Sequence, residues 1–188
     1  KTRHNIWPKV SGAAAAQVFS QLMLCETVAD RKMLGGNDKL FYKNTGIRYF
    51  STVTMRPPRC WINGKPTSSS RETVLDIRPE YKHTLHALLL SSTYFFWYQA
   101  TSNCRDLNPA DIQWAPAGAR DAATERQFEL LSLAVEADYS SKAKILRMEN
   151  KLTGLVEIES MTPAKSKPII DEIDRVLAQH YGFTDEEL

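Results

Sequence analysis

The chain has 188 residues, 43% of them hydrophobic and 24% charged, ordinary values for a globular unit large enough to bury a core. These proportions exclude a disordered, collagenous or disulfide-built chain, and no apolar run approaches the roughly 18 residues of a membrane span. The net charge of +2 hides a division, since residues 1–120 hold 16 Lys or Arg against 8 Asp or Glu, while residues 121–188 hold 8 against 14. A basic part bearing aromatic residues suits a phosphate-facing surface and an acidic part suits water or a basic partner, although ordinary solvated faces have the same charges.

In chain order, Ser11 to Leu24 reads as a helix capped near Ser11, with four consecutive alanines followed by Val18, Phe19, Leu22 and Met23. Gly35-Gly36-Asn37-Asp38 reads as a turn. Leu40 and Tyr42, then Tyr49 to Met55, read as a hairpin whose turn is Lys43-Asn44-Thr45-Gly46. Pro57-Pro58 breaks that strand. Cys60-Trp61-Ile62 is a short strand, Asn63-Gly64 is a type I′ turn signal, and Thr73 to Ile77 is a further strand. Pro79 opens a helix with Leu85, Leu88 and Leu89. A second helix holds Tyr94-Phe95-Phe96-Trp97-Tyr98, whose rings must face several directions and therefore pack in the core. Asn108 caps a helix with Pro109 at its first position. A long helix starts at Asp121, Leu155 to Glu159 is extended, and Ile169, Ile173, Val176 and Leu177 form a helical stripe that Gly182 stops. The expected fold is α+β: a small mixed or antiparallel sheet with packed helices over residues 1–118, then a helical, acidic C-terminal segment over 119–188. Lys1 in place of Met, and a Thr184–Glu187 capping box begun just before Leu188, read as an excised fragment truncated at its end.

The familiar catalytic patterns are missing from this sequence. It has no G-x-G-x-x-G, Walker loop, H-E-x-x-H or G-x-S-x-G. His83 and His86 stand three apart on a predicted helix without a third metal ligand nearby, which favours partly exposed structural histidines. Cys25, Cys60 and Cys104 form no C-x-x-C pair, which points to reduced thiols in a cytoplasmic protein. No secretion-signal pattern opens the chain.

Three segments combine polar side chains with tight turns: Tyr42 to Gly46 followed by Arg48 and Tyr49, Thr67 to Glu72, and Asn103 to Asn108. Arg and Lys match phosphate or guanine, Asn matches adenine, and Ser and Thr serve both. Each segment taken singly also reads as a turn satisfied by its own side chains. A shared face would make them one surface.

These segments resemble a known family. Phe41 to Gly46 with Arg48-Tyr49-Phe50, Ile62-Asn63-Gly64 through Ser68-Ser69-Ser70-Arg71-Glu72, and Ser91 to Trp97 with Asn103-Cys104-Arg105-Asp106-Leu107-Asn108 are similar, in that order, to stretches of large bacterial adenine-specific DNA methyltransferases of the Type IIG restriction–modification class. Lys165 to Asp174, running to Thr184, resembles the segment near that family's C-terminus. The likeness covers the chain from about Leu40 onward. It implies methyl transfer from S-adenosylmethionine to adenine N6 in the parent enzyme, through an Asn/Asp-Pro-Pro-Tyr/Phe loop. Neither Asn108-Pro109-Ala110 nor Pro57-Pro58, flanked by Met55-Arg56 and Arg59, is that loop. The resemblance therefore implies a target-recognition region similar to the TaqI-like specificity domain, inactive alone and with no cofactor in this chain. Its implied partners are double-stranded DNA and a missing N-terminal methyltransferase domain, with no membrane. The expected DNA contacts are Lys43, Asn44, Thr45, Ser69, Ser70, Arg71, Asn103 and Arg105. Arg71 and Arg105 would meet phosphate or guanine, and Asn44 and Asn103 base edges. Asp106 could instead hold Arg105 as a buried structural partner. The alternative is an interaction module whose acidic helices dock on the methyltransferase half or on another subunit.

Overall fold

The computed structural model of the chain describes residues 7–45, 52–69, 72–118 and 121–184. The fold is α+β, with two antiparallel sheets among helices. Helix α1 (Ala13–Leu24) buries Val18, Phe19 and Leu22. Its N-cap is Gly12, next to Ser11 as expected, but no side chain caps it. The alanines favour the helix by propensity alone.

Strands β1 (Leu34–Lys43), β2 (Val53–Thr54) and β5 (Glu72–Ile77) form the first sheet, in the order β2-β1-β5. The turn expected at Gly35–Asp38 is instead a bulge within β1. Leu34 and Asp38 both stand opposite Ile77, and Gly35 takes a φ of 80°. A Cβ on Gly36 would lie 2.3 Å from the Ile77 carbonyl oxygen, so a residue without a side chain is what lets β5 approach. The antiparallel pairing of β1 with β2 agrees with the expected hairpin, but the tight turn expected at Lys43–Gly46 is corrected: Lys43 is still paired in β1, Thr45 bridges Asp106, and Tyr42 stands opposite Val53, so the connection is longer, with residues 46–51 outside the described residues.

Helices α2 (Lys82–Leu90) and α3 (Ser92–Thr101) follow. Leu85, Leu88, Leu89, Leu90, Tyr94, Trp97 and Tyr98 are buried, and Trp97 stacks on Phe19 at 5.3 Å, so the aromatic run packs as core. His86 is fully buried rather than partly exposed, with Nε2 at 3.2 Å from the Val53 carbonyl oxygen. The short helix α4 (Pro109–Gln113) is capped by Asn108, whose N–H donates to the Asp111 carboxylate at 2.9 Å. Helix α5 (Ala122–Lys142) is capped by Asp121, which accepts from the N–H groups of Ala123 and Thr124. Helix α6 (Lys167–Tyr181) ends at Gly182 with a φ of 72°, the left-handed stop that the sequence announces.

The extended stretch expected at Leu155–Glu159 is a strand, but the expectation that the rest of the segment after residue 118 is helical is corrected. Between α5 and α6 lies a hairpin of β6 (Lys144–Asn150) and β7 (Gly154–Ser160). It pairs with β3 (Cys60–Ile62), which turns through Asn63 and Gly64, both at positive φ, into β4 (Lys65–Thr67). The second sheet, in the order β4-β3-β7-β6, thus joins residues from both sides of the expected boundary. The core does the same: one hydrophobic cluster runs from Val18 to Leu177 and includes Phe128, Val135 and Tyr139 of α5. An acidic outer face says nothing about the inner one, which is why the charge division does not mark a division of the fold.

Candidate nucleic-acid interface

The first and third polar segments meet backbone to backbone. Leu107 donates its N–H to the Asn44 carbonyl oxygen at 2.8 Å, and Thr45 forms an antiparallel bridge with Asp106. The end of β1 therefore continues into a short ladder with the 103–108 loop. Asn103 shapes that loop by accepting the Arg105 N–H on its side-chain oxygen at 2.9 Å, and Cys104 takes a left-handed φ of 57°. Asn103 and Arg105 are exposed, Thr45 is exposed and Asn44 is half-buried.

Arg105 is not a buried partner of Asp106. Its side chain is 85% exposed, and its Nε stands 3.7 Å from the Asp106 carboxylate. Such a surface pair contributes little to stability, so the guanidinium is available to a ligand.

The second segment reaches the same region. Lys43 stands opposite Glu72 in the β1–β5 register. Lys43, Ser68, Ser69 and Glu72 together line one side of a cleft of about 540 Å³. Burial pushes the Glu72 carboxyl up from its ordinary value, and Lys43 opposes that rise. Ser70 and Arg71, two of the expected contacts, lie outside the described residues, as do Arg48 and Tyr49. The described loops are not simply cationic: Lys43 faces Glu72, and Arg105 neighbours Asp106.

The opposite wall of the cleft is a face of the second sheet. The register sets Cys60 beside Ile158 and Ile62 beside Val156, with Leu146 and Met148 on the outer strand. All six residues line the cleft. Polar side chains of Asn150 and Thr153 stand at the tip of the hairpin.

At the base of that sheet is a cluster the sequence reading missed. Glu159 has a fully buried side chain that binds Arg56 and Arg59, 103 and 100 residues away. Arg56 Nη1 donates at 2.6 Å, Arg59 Nη2 at 2.9 Å and the Arg59 backbone N–H at 3.0 Å. The guanidinium of Arg56 leads in holding the Glu159 carboxyl down to about 2, with Arg59 adding to it. The visible signal was the pair of arginines flanking Pro57-Pro58. Their carboxylate partner was too distant in sequence to find.

Among the described residues no group of three or more His, Cys, Asp or Glu side chains is placed to hold a metal ion. Among the described residues no helix is long and apolar enough to cross a membrane. Comparison with protein families, with curated proteins and with solved structures finds no match to this chain.

Proposed function

We propose that this chain is the DNA sequence-recognition module of an N6-adenine DNA methyltransferase of a restriction–modification system, with S-adenosylmethionine and the chemistry belonging to a separate methyltransferase domain. One observation supports this best: the Asn44–Leu107 hydrogen bond and the Thr45–Asp106 bridge fuse two polar loops beside the cleft that Lys43 and Ser69 line. Asn44, Thr45, Asn103 and Arg105 then offer amide, hydroxyl and guanidinium groups from one rigid backbone patch, the chemistry that reads base edges and phosphates. Loops fixed by backbone bonds present those groups in a constant register.

The test is a salt titration of duplex binding by the whole chain. Non-specific dissociation constants of about 10⁻⁴–10⁻⁶ M are expected, weakening steeply with salt. Lys43→Ala should lower the log–log salt slope by about one, with the thermal melt preserved. Binding that ignores salt would refute the DNA-facing assignment.

A second reading is docking through the acidic helices. Leu130 and Leu133, three residues apart on α5, are 62% and 49% exposed, away from the side that buries Phe128, Val135 and Tyr139. Tight binding of a separately expressed methyltransferase domain, abolished by Leu130→Glu with DNA binding intact, would favour it.

A further inference from the structure

We propose that Arg56 and Arg59 form a clamp for a DNA backbone phosphate, with Glu159 as the residue that positions both. This rests on the DNA-recognition reading above and adds to it a contact from another part of the chain.

Glu159 is saturated. Its Oε2 accepts from Arg56 Nη1 and the Arg59 backbone N–H, while Oε1 accepts from Arg56 Nη2, Arg59 Nη2 and Arg59 Nε. A carboxylate has about four lone-pair sites, so these five donors leave no acceptor for another cation. One bidentate arginine already neutralises a carboxylate. Arg56, Arg59 and Glu159 taken together carry one positive charge, which the Glu136 carboxylate near Arg56 offsets in part, so the outward charge sits mainly on Arg59.

Exposure sets which charge faces outward. The carboxylate side chain is 0% exposed, whereas those of Arg56 and Arg59 are 37% and 62% exposed. Solvent thus meets guanidinium edges backed by a hidden anion. Pro57 and Pro58 restrict the backbone between the arginines, and Arg59 lies over the Trp61 ring at 6.0 Å, so both groups are held before any ligand arrives. Arginines already ordered lose little rotamer entropy on gripping a planar pair of phosphate oxygens. Glu159 and Pro58 line the cleft that Lys43 and Ser69 line, whereas Arg56 and Arg59 do not and Arg59 lies on the Trp61 side of the strand, so the clamp adds a contact beside the cleft and not within it.

The experiment measures binding of a fluorescein-labelled duplex to the whole chain across a salt series. Losing one phosphate contact should weaken binding about fivefold near 0.15 M salt and lower the salt slope by about one. Arg59→Ala and Arg56→Ala are each expected to do this with the circular-dichroism melt still cooperative. Glu159→Gln adds a positive charge yet should also weaken binding, because the guanidiniums lose their fixed geometry. Tighter binding by Glu159→Gln would overturn the positioning role, and if that variant fails to fold the two arginine variants decide. If both arginine variants bind like the unaltered chain while Lys43→Ala is weakened, the clamp is a structural tie and the DNA reading survives. If the unaltered chain shows no salt-dependent binding, the clamp and the DNA reading fall together.

Discussion

The two sheets are built from the same kind of strand but are held in place by different forces. The first has Leu40, Tyr42, Val53, Leu75 and Ile77 inside the hydrophobic cluster, among the leucines of α2 and the rings of α3. The second contributes no described side chain to that cluster, and every residue of β6 is exposed. It is tied at its base by the Glu159 ion pairs and at its tip by Asn63, whose side chain donates to the Thr153 carbonyl oxygen and accepts from the Leu155 N–H, each at 2.9 Å. Apolar burial grows with area and is insensitive to charge, whereas polar ties are few, directional and dependent on pH. One part of the molecule should therefore be a firm platform and the other a lobe whose placement can be disturbed separately.

The largest effect should come from the platform. Trp97 is 5% exposed and stacked on Phe19, and Trp97→Ala should cost about 3–5 kcal/mol in denaturant unfolding, lowering all probes together. A loss confined to the second sheet would break the contrast.

Next comes the clip. Glu159→Gln should cost about 1–3 kcal/mol at neutral pH. The acid profile sharpens this. The carboxyl is held down to about 2 in the folded chain, against 4.5 for the free group. Its contribution is full above about pH 5 and is lost as the pH falls toward 2, because the unfolded chain takes up the proton first. The Gln variant should flatten that part of the stability–pH curve, and an unchanged slope would remove Glu159 from its assigned place.

The smallest effect belongs to the tip. Asn63→Ala removes two hydrogen bonds and places alanine at a φ of 49°, for about 1–2 kcal/mol, read as faster amide exchange in β6 and β7 with β1 unaffected.

What was legible in the amino-acid string follows the same contrast. Asn63-Gly64, Asn108-Pro109, Asp121 and Gly182 announce turns and helix ends because each is decided within a few residues. The bulge in β1 was not legible, because Gly35-Gly36-Asn37-Asp38 has turn chemistry and only the approach of Ile77 makes it part of a strand. The pairing of β3 with β7 was hidden for a related reason: short strands nearly a hundred residues apart choose partners through the assembled fold. At the candidate interface the polar loops could be picked out by composition. Their junction could not, since the Asn44–Leu107 bond is made by backbone groups that every residue possesses.

That junction also governs how such a surface could be altered. Because peptide groups alone splice the loops, Thr45 and Arg105 can be exchanged for other side chains while the scaffold beneath them keeps its shape. An insertion in either loop, by contrast, would drag the other out of alignment. Reprogramming would thus proceed by swapping letters on a fixed line, with substitutions tolerated far better than changes in length.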